Sequence, residues 1–204
     1  MRTFKNYITE DISAKTRKET ELLVDAVYSR YIDEHDKNTV ECVGWLDGHE
    51  NALIRFQKIY EAGIDENDSV LDVGCGVAHF YTYLKRDKEW DGKYLGIDPN
   101  KKAIDLIDED INAMHGTIDG LPDFMKYDWV IANGVFNLGL KEEHSFWIIE
   151  NMISHANKGI IFNMFVAPYI DPFYEAYYPK QIKSKLQKYD HSKIEIIENY
   201  FEDQ

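Results

Sequence analysis

Cysteine is scarce in this sequence, and long apolar runs are absent. Cys42 and Cys75 are the only cysteines among 204 residues, too few for a disulfide framework or a four-cysteine zinc site. No stretch approaches the roughly 20 apolar residues that a membrane-spanning helix requires. Residues 1–10 lack the apolar run that follows the charges of a secretory signal. We therefore expect a cytoplasmic protein.

Basic residues are the minority among the charges. The 23 lysines and arginines stand against 37 acidic residues, which gives a net charge of −14. Because such a field repels phosphate backbones and anionic lipid, we expect no DNA and no membrane among the partners. Hydrophobic residues make up 44% of the chain and aromatic residues 14%. This composition excludes a disordered chain and, with the length, predicts a single domain over residues 1–204.

Short apolar runs alternate with helical patterns after residue 62. Residues 1–62 are polar, with apolar residues at helical spacing, and predict a helical N-terminal cap. Apolar runs of strand length follow at 69–73, 94–97, 127–132, 159–165 and 193–197, with a weaker candidate at 113–118. Helical patterns separate them, near 78–88, 100–111, 142–156 and 173–189. The alternation predicts an α/β core over residues 63–204, with a doubly wound, mostly parallel sheet between two layers of helices.

The segment Val70–Phe80, VLDVGCGVAHF, is the most informative part of the sequence. Gly74 and Gly76 make a tight turn between a buried strand and a helix, whose first N–H groups suit a polar or anionic ligand group. His79 occupies the third-glycine position of a dinucleotide fingerprint and would obstruct a diphosphate. Asp72 would repel a diphosphate and attract an ammonium group. These residues predict a site for a zwitterion, although they would also suit an ordinary strand-to-helix turn.

The pattern Asp72-x-Gly74-x-Gly76-x-Ala78 resembles the first motif of class I S-adenosylmethionine-dependent methyltransferases, with alanine in place of the last glycine. The resemblance extends over about residues 44–200. It implies a Rossmann-like methyltransferase fold and an enzyme that uses S-adenosylmethionine. The turn residues that it assigns to the cofactor are Asp72, Gly74, Cys75 and Gly76.

Later segments resemble the same family in the same order. Tyr94–Asn100, YLGIDPN, is similar to the second strand of the family, which implies that Asp98, followed by Pro99, binds the ribose hydroxyls of the cofactor. Asp98 could instead cap the helix that begins at Pro99. Gly116–Pro122 is similar to the adenine-binding segment, and the loop after residues 127–132 is similar to the loop beside the sulfonium. These two matches assign to the cofactor Thr117, Ile118, Asn133 and Gly134.

Upstream residues resemble the lead-in helix of some small-molecule methyltransferases. Arg55 could pair with the cofactor carboxylate or lie at the surface, and Trp45 could cover the cofactor or belong to the core. Methyl transfer from a sulfonium is an in-line displacement that positioning accelerates, so a base is needed only for a protonated nucleophile, and we assign no catalytic residue. His49 and His79 are the nearest candidates for a base. No histidine has metal-ligand spacing, so no metal is expected.

We expect a small-molecule acceptor. The loop at 132–136, ANGVF, lacks the Pro-Pro-aromatic motif of methyltransferases that act on nucleobases, in agreement with the acidic charge. The aromatic residues of Tyr169–Tyr178 could line an acceptor pocket or pack a helix on the sheet. The lysines between Lys180 and Lys188 could meet an anionic acceptor or form an exposed helix face.

Two other functions remain open from the sequence, a nicotinamide-dependent (NAD) oxidoreductase of similar topology and a non-catalytic, methyltransferase-like partner protein. The family usually has seven strands, and here the last predicted strand ends near Glu198, which leaves no room for a full seventh strand. The open edge of the sheet could pair with a second subunit and form a homo-oligomer, or the N-terminal helices could cover it.

Overall fold

The computed structural model describes residues 17–137, 140, 142–166, 176–189 and 193–198. Two helices precede the sheet: α1 spans Arg17–Glu34 and α2 spans His49–Glu61, with a short 3-10 turn at Val40–Val43 between them. They agree with the helical segment predicted before the sheet. No helix within the described ranges is both long and apolar enough to cross a membrane.

Five parallel strands form the central sheet in the order β3-β2-β1-β4-β5. The strands are β1 (Val70–Val73), β2 (Tyr94–Asp98), β3 (Ala113–His115), β4 (Tyr127–Ala132) and β5 (Ala156–Phe162). The helices between them are α3 (His79–Asp87), α4 (Lys101–Asp105) and α5 (Glu142–His155). A separate two-stranded sheet of β6 (Phe165–Val166) and β7 (Ala176–Tyr177) follows, and then α6 (Pro179–Leu186). The chain order reverses between β1 and β4, which is where open α/β sheets bind ligands.

Alternate side chains of the central strands enter two separate apolar clusters. Val70 and Ile131 pack with α2 and α3 on one face of the sheet, whereas Leu71 and Val130 pack with α5 and α6 on the other. All four side chains are fully buried. The pairing of β1 with β4 places Leu71 opposite Val130, so both side chains reach the same face. The sheet therefore lies between two helical layers, as predicted, and the weak strand candidate near residue 113 is confirmed as β3.

The predicted strand at 193–197 is wrong. Residues 193–198 belong to neither sheet, and Ile196 and Ile197 are 38% and 48% exposed. A strand of this sheet would bury one or both faces, and these side chains find no such cover. The strand predicted at 159–165 begins and ends earlier in the structure, where β5 spans Ala156–Phe162.

Two predicted helices are shorter than expected. The helix expected near 100–111 is α4, which ends at Asp105. The acidic residues 108–110 explain the early end, because negative charge is unfavourable at a helix C-terminus. The helix expected near 173–189 is α6, which spans Pro179–Leu186, and residues 169–175 of the predicted aromatic segment lie outside the described residues.

Asp68 joins three strands at the amino edge of the sheet. It lies two residues before the start of β1 at Val70 and is 6% exposed. Its carboxylate accepts hydrogen bonds from Trp129 Nε1 (2.9 Å), from the Asp65 main chain (3.0 Å) and from the Lys158 ammonium. Its carbonyl accepts a hydrogen bond from Trp90 Nε1 (3.1 Å). Because Trp129 lies on β4 and Lys158 on β5, Asp68 fixes the start of β1 against both strands.

Asp68→Asn should destabilise the protein at neutral pH. Burial raises the pKa of Asp68, but hydrogen bonds from Lys158, Asp65 and Trp129 lower it to a net value below that of a free carboxyl. A depressed pKa contributes stability above the unfolded value of about 3.9 and loses it as the pH falls through the folded value. We expect the variant to lose about 1–3 kcal/mol of unfolding free energy at pH 7 in urea titrations, and less below about pH 4.

Asp65→Asn is the matched control for this prediction. Asp65 also approaches Lys158, at 3.9 Å, but its side chain is 83% exposed. Exposed ion pairs contribute at most about 1 kcal/mol. Equal losses for the two variants would contradict the role assigned to the buried Asp68.

Candidate functional site

A cavity lies at the carboxyl ends of β1, β2 and β4. The turn after each of these strands contributes to its lining, and further walls come from the segment after β3, from α1, α2, α3 and α5, and from the segment between α1 and α2. Ten of the eleven predicted cofactor residues line it: Asp72, Gly74, Cys75, Gly76, Asp98, Pro99, Thr117, Ile118, Asn133 and Gly134. The structure therefore brings together residues from four separate sequence segments.

The turn after β1 has a left-handed backbone at alternate residues. Gly74, Gly76 and Ala78 have φ angles of +71°, +56° and +62°. Glycine adopts this conformation without strain, whereas an alanine does so at some cost. Ala78 thus has the backbone conformation that a glycine would favour at the last position of the motif. The N–H groups of Gly74 and Cys75 both donate to the Ile97 carbonyl, at 2.8 and 3.1 Å, which ties the turn to β2.

The two glycines also make room for neighbouring side chains of the protein itself. A Cβ atom at Gly74 would lie 2.5 Å from Val135, and one at Gly76 would lie 2.7 Å from Val43. Val43 and Val135 are themselves part of the cavity wall. The sequence pattern predicts that these glycines let a ligand approach the backbone, and the structure gives an additional reason for them. A larger residue at either position would displace the wall before any ligand arrived.

Asp72 is buried within β1 and faces the cavity. It is 2% exposed and accepts a hydrogen bond from the Tyr94 hydroxyl at 2.8 Å. Burial raises the pKa of Asp72 to about 7; the Tyr94 hydrogen bond opposes this shift and the charge of Asp98 adds to it. A buried carboxyl with a raised pKa becomes more easily ionised when a cation binds beside it.

Asp98 connects the turns after β1 and β2. Its Oδ2 accepts the Gly76 N–H at 2.9 Å and its Oδ1 accepts the Asn100 N–H at 2.7 Å. Burial raises the pKa of Asp98 to about 6 although these two N–H groups oppose the shift. The N-cap of α4 is Asn100, whose Oδ1 accepts the Ala103 N–H at 2.9 Å. The capping role that the sequence left open for Asp98 therefore belongs to Asn100.

The loop after β4 is held by a residue that the sequence analysis missed. Asn163 follows β5, and its Oδ1 accepts the Gly134 N–H at 2.7 Å while its Nδ2 donates to Asn133 Oδ1 at 2.6 Å. This amide fixes the two predicted residues of the loop from outside the cavity.

In the segment that resembles the adenine-binding segment of the family, the Thr117 hydroxyl donates a hydrogen bond to the Asp119 carboxylate at 2.6 Å.

Arg55 is the predicted site residue that does not line the cavity. Its guanidinium forms an ion pair with Asp47 at 2.6 Å and stacks 4.5 Å above the Trp45 ring. Trp45 does line the cavity, and it also packs against the apolar cluster of α2 and α3. Arg55 therefore supports a wall residue, which accounts for an arginine at this position without a ligand carboxylate.

Of the two histidine candidates from the sequence, His79 lines the cavity and His49 does not, whereas His144 lines it without having been a candidate. His79 lines the cavity, and its Nε2 lies 3.0 Å from the Lys37 carbonyl, so Nε2 carries the proton. Burial lowers the pKa of His79, which favours the neutral ring. His144 of α5 lines the cavity beside Trp147, with ring centres 5.8 Å apart. His49, a sequence candidate, is exposed at the start of α2. No metal-binding cluster is found among the described residues.

The C-terminal aromatic and basic residues that the structure describes pack elsewhere. Tyr177 is 6% exposed and its hydroxyl lies 3.0 Å from Ser145 Oγ, so it belongs to the core. Tyr169, Phe173 and Tyr174 lie outside the described residues. Lys185 and Lys188 form ion pairs with Glu142 and Glu150 on α5. The described part of the basic run is thus an exposed helix face that pairs with α5.

The walls of the cavity are acidic and aromatic. Asp25 of α1 joins Asp72 and Asp98 in the lining, and no Lys or Arg is present among the described lining residues. Aromatic side chains cover much of the remainder, namely Tyr28, Trp45, Phe56, Phe80 and Trp147. The α1 contribution could not be read from the sequence, because residues 1–48 show only a polar helical pattern. The arrangement suits a ligand with cationic and hydroxyl groups on an apolar frame.

Known proteins resemble this chain in structure but not in sequence. No protein-family model and no curated protein matches it. Solved methyltransferases match over most of the chain. The phosphoethanolamine N-methyltransferase 1 of Haemonchus contortus matches with a TM-score of 0.64 at 15% identity, over 85% of this chain. DhpI in complex with S-adenosylhomocysteine matches with a TM-score of 0.62 at 13% identity, over 85% of this chain and 88% of its own.

A further match is a SAM-dependent methyltransferase from Archaeoglobus fulgidus, with a TM-score of 0.53 at 20% identity, over 70% of this chain and 69% of its own. The present chain spans only 41% of the Haemonchus protein. At these identities the matches establish the fold. The chain has the α/β fold of class I S-adenosylmethionine-dependent methyltransferases.

Proposed function

We propose that the protein is an S-adenosylmethionine-dependent methyltransferase with a small-molecule acceptor. The observation that carries the proposal is the convergence of three strand-end turns on one cavity that contains three carboxylates and, among its described lining residues, no Lys or Arg. S-adenosylmethionine has an ammonium group, a sulfonium and two ribose hydroxyls, all of which carboxylates attract. The only anionic group of the cofactor is a carboxylate, which suits free N–H groups at the start of α3.

The chain's own residues suit the parts of this cofactor in turn. Asp72 would hold the ammonium group, and Asp98 would accept the ribose hydroxyls with the lone pairs that Gly76 and Asn100 leave available. Cys75 and Pro99 would flank these groups along the backbone turns. The remaining contacts proposed are Thr117 and Ile118 for the adenine and Asn133 and Gly134 for the region of the sulfonium.

Positioning accounts for the catalysis proposed here. S-adenosylmethionine supplies an electrophilic methyl group on a sulfonium, and the protein must hold an acceptor in line with it. Alignment of two reactants can contribute up to about 7–11 kcal/mol. Trp45 and Trp147 lie in the cavity wall, where their rings would exclude water, and the hydrogen bonds of Asn163 would restrict the loop after β4. No catalytic base is assigned.

A nicotinamide-dependent oxidoreductase is less favoured by the same lining. Its cofactor carries a diphosphate, which would lie among Asp72, Asp98 and Asp25 without a described Lys or Arg to neutralise it. Like charges at close range are strongly unfavourable in a buried site. His79 at the start of α3 further narrows the approach to the helix terminus. No observation favours this second function.

The ligands bound to the structural neighbours agree with the proposed cofactor. The Haemonchus enzyme is in complex with phosphoethanolamine and S-adenosylhomocysteine, and DhpI is in complex with the latter. The Haemonchus enzyme is named for phosphoethanolamine, a small molecule, and this supports the class of acceptor proposed here. We further propose that residues 1–204 act as one domain in the cytoplasm, where the buried free thiols of Cys42 and Cys75 would stay reduced.

Isothermal calorimetry with three ligands tests the proposed function. S-adenosylmethionine and S-adenosylhomocysteine should each bind at one site per chain, and NAD should not bind. Ligand binding should also raise the melting temperature, since a ligand that binds only the folded state stabilises it. Binding of NAD without binding of S-adenosylhomocysteine would overturn the proposal.

Asp98→Ala should weaken the binding of S-adenosylhomocysteine by about 1–3 kcal/mol, the scale for losing hydrogen bonds to a charged group. Asp105→Ala is the matched control: it removes the same charge from the exposed side of α4, where Asp105 pairs with Lys101 outside the cavity. Thermal melting establishes that each variant is folded. Full affinity in folded Asp98→Ala would remove Asp98 from the site.

The affinity for S-adenosylhomocysteine should rise between about pH 5 and pH 7.5. Burial raises the pKa of Asp98 to about 6 and that of Asp72 to about 7, so each is protonated in the free protein at low pH. A ligand that prefers the ionised carboxylates binds more tightly as the pH passes these values. For Asp98→Asn, calorimetry across this pH range should show a smaller rise in affinity, because the part of the rise near pH 6 is lost. A flat profile for the unmodified protein would contradict the assignment.

A further inference from the structure

Helix α1 places one face over the cavity. Val24, Tyr28 and Ile32 are spaced four residues apart, Asp25 lies beside the first of them, and all four line the cavity. The helix approaches the chain closely at Gly44, where a Cβ would lie 3.2–3.3 Å from the rings of Tyr28 and Tyr31. α1 is therefore a wall of the site, and among the α1 side chains that the structure describes, Asp25 is the charged one in the lining.

Asn100 fastens this wall to the turn that carries Asp98. The Asn100 side chain is 2% exposed, and its Nδ2 donates to the Asp25 carbonyl at 3.1 Å and to Ser29 Oγ at 2.9 Å. Its main-chain N–H donates to Asp98 Oδ1. Two hydrogen bonds through one residue thus connect Asp25 with Asp98. The second attachment is the ion pair between Lys102 and Asp33 at the surface.

The carboxylate of Asp25 has hydrogen-bonding capacity left over. Within the described part of the chain, Asn100 engages only the main-chain carbonyl of Asp25, and no hydrogen bond or ion pair to its carboxylate is present. The two carboxylates are close enough for the charge of Asp25 to raise the pKa of Asp98. Two ionised carboxylates that line one cavity repel each other unless donors lie between them. A vicinal diol supplies two adjacent O–H donors, one for each carboxylate.

We infer that Asp25 is a second ribose-binding residue, which accepts one hydroxyl of the cofactor from α1 while Asp98 accepts the other. This inference rests on the proposed function, because it assumes an adenosyl ligand in the cavity. It explains why α1, a polar helix that the buried side-chain amide of Asn100 attaches to the turn after β2, covers the site. α1 then contributes to affinity directly, through a charged hydrogen bond, and not only by closing the wall.

Asp25→Ala and two ligand analogues test the inference by calorimetry. Alanine is favourable within a helix, so α1 should persist. The variant should bind S-adenosylhomocysteine about tenfold or more weakly, the effect of losing one hydrogen bond to a charged group. Asp33→Ala, which removes the same charge from the exposed face of α1, should change the affinity by less than about threefold, in keeping with an exposed ion pair.

The 2′-deoxy and 3′-deoxy forms of S-adenosylhomocysteine identify the hydroxyl. For the analogue that lacks the hydroxyl bound by Asp25, the unmodified protein and Asp25→Ala should show equal affinity. Equal losses for all three ligands would mean that Asp25 acts through charge or helix position, and the inference would be wrong. An unchanged affinity of Asp25→Ala for the parent ligand would overturn it as well. If the unmodified protein bound no S-adenosylhomocysteine, the proposed function itself would fail.

Discussion

The carboxylate of Asp98 is the interaction on which the rest of the site depends. One of its oxygens holds the turn after β1 through Gly76, and the other holds the turn after β2 through Asn100. Asn100 then caps α4 and fastens α1. A single buried side chain at the end of a central strand thus fixes two turns, one short helix and one wall. These turns, the short helix and the wall are therefore held in place before any ligand binds in the cavity.

This arrangement has a cost in the unliganded protein. Burial raises the pKa of both Asp72 and Asp98, so ionising them opposes folding. Because the folded state then binds more protons than the unfolded state, these two groups make stability fall as the pH rises from about 4 through 6 and 7. Asp68 at the opposite edge of the sheet has the reverse effect, with a lowered pKa. The stabilising acid lies away from the cavity and the destabilising acids line it, which is the pattern expected of a binding site.

The strand-end residues could be predicted because the signals are local. The motif from Asp72 to Ala78 encodes its own backbone conformation, and the acid after β2 follows at a recognisable spacing. Asp25 and Asn163 could not be predicted, since each reaches the site only through tertiary packing of a segment whose own pattern is unremarkable. The sequence leaves open whether Arg55 pairs with the cofactor carboxylate or lies at the surface, and in the structure an ion pair and a tryptophan ring engage it. The run at 193–197 has strand composition, but it pairs with no strand in the part of the chain that the structure describes.

A crystal structure with S-adenosylhomocysteine tests the central claim most directly. The account predicts electron density for the ligand in the cavity at the ends of β1, β2 and β4, with the ribose at Asp98, the amino group at Asp72 and the thioether near Asn133. Density for the ligand at another surface, or none at a concentration that saturates binding in solution, would contradict the assignment of this cavity.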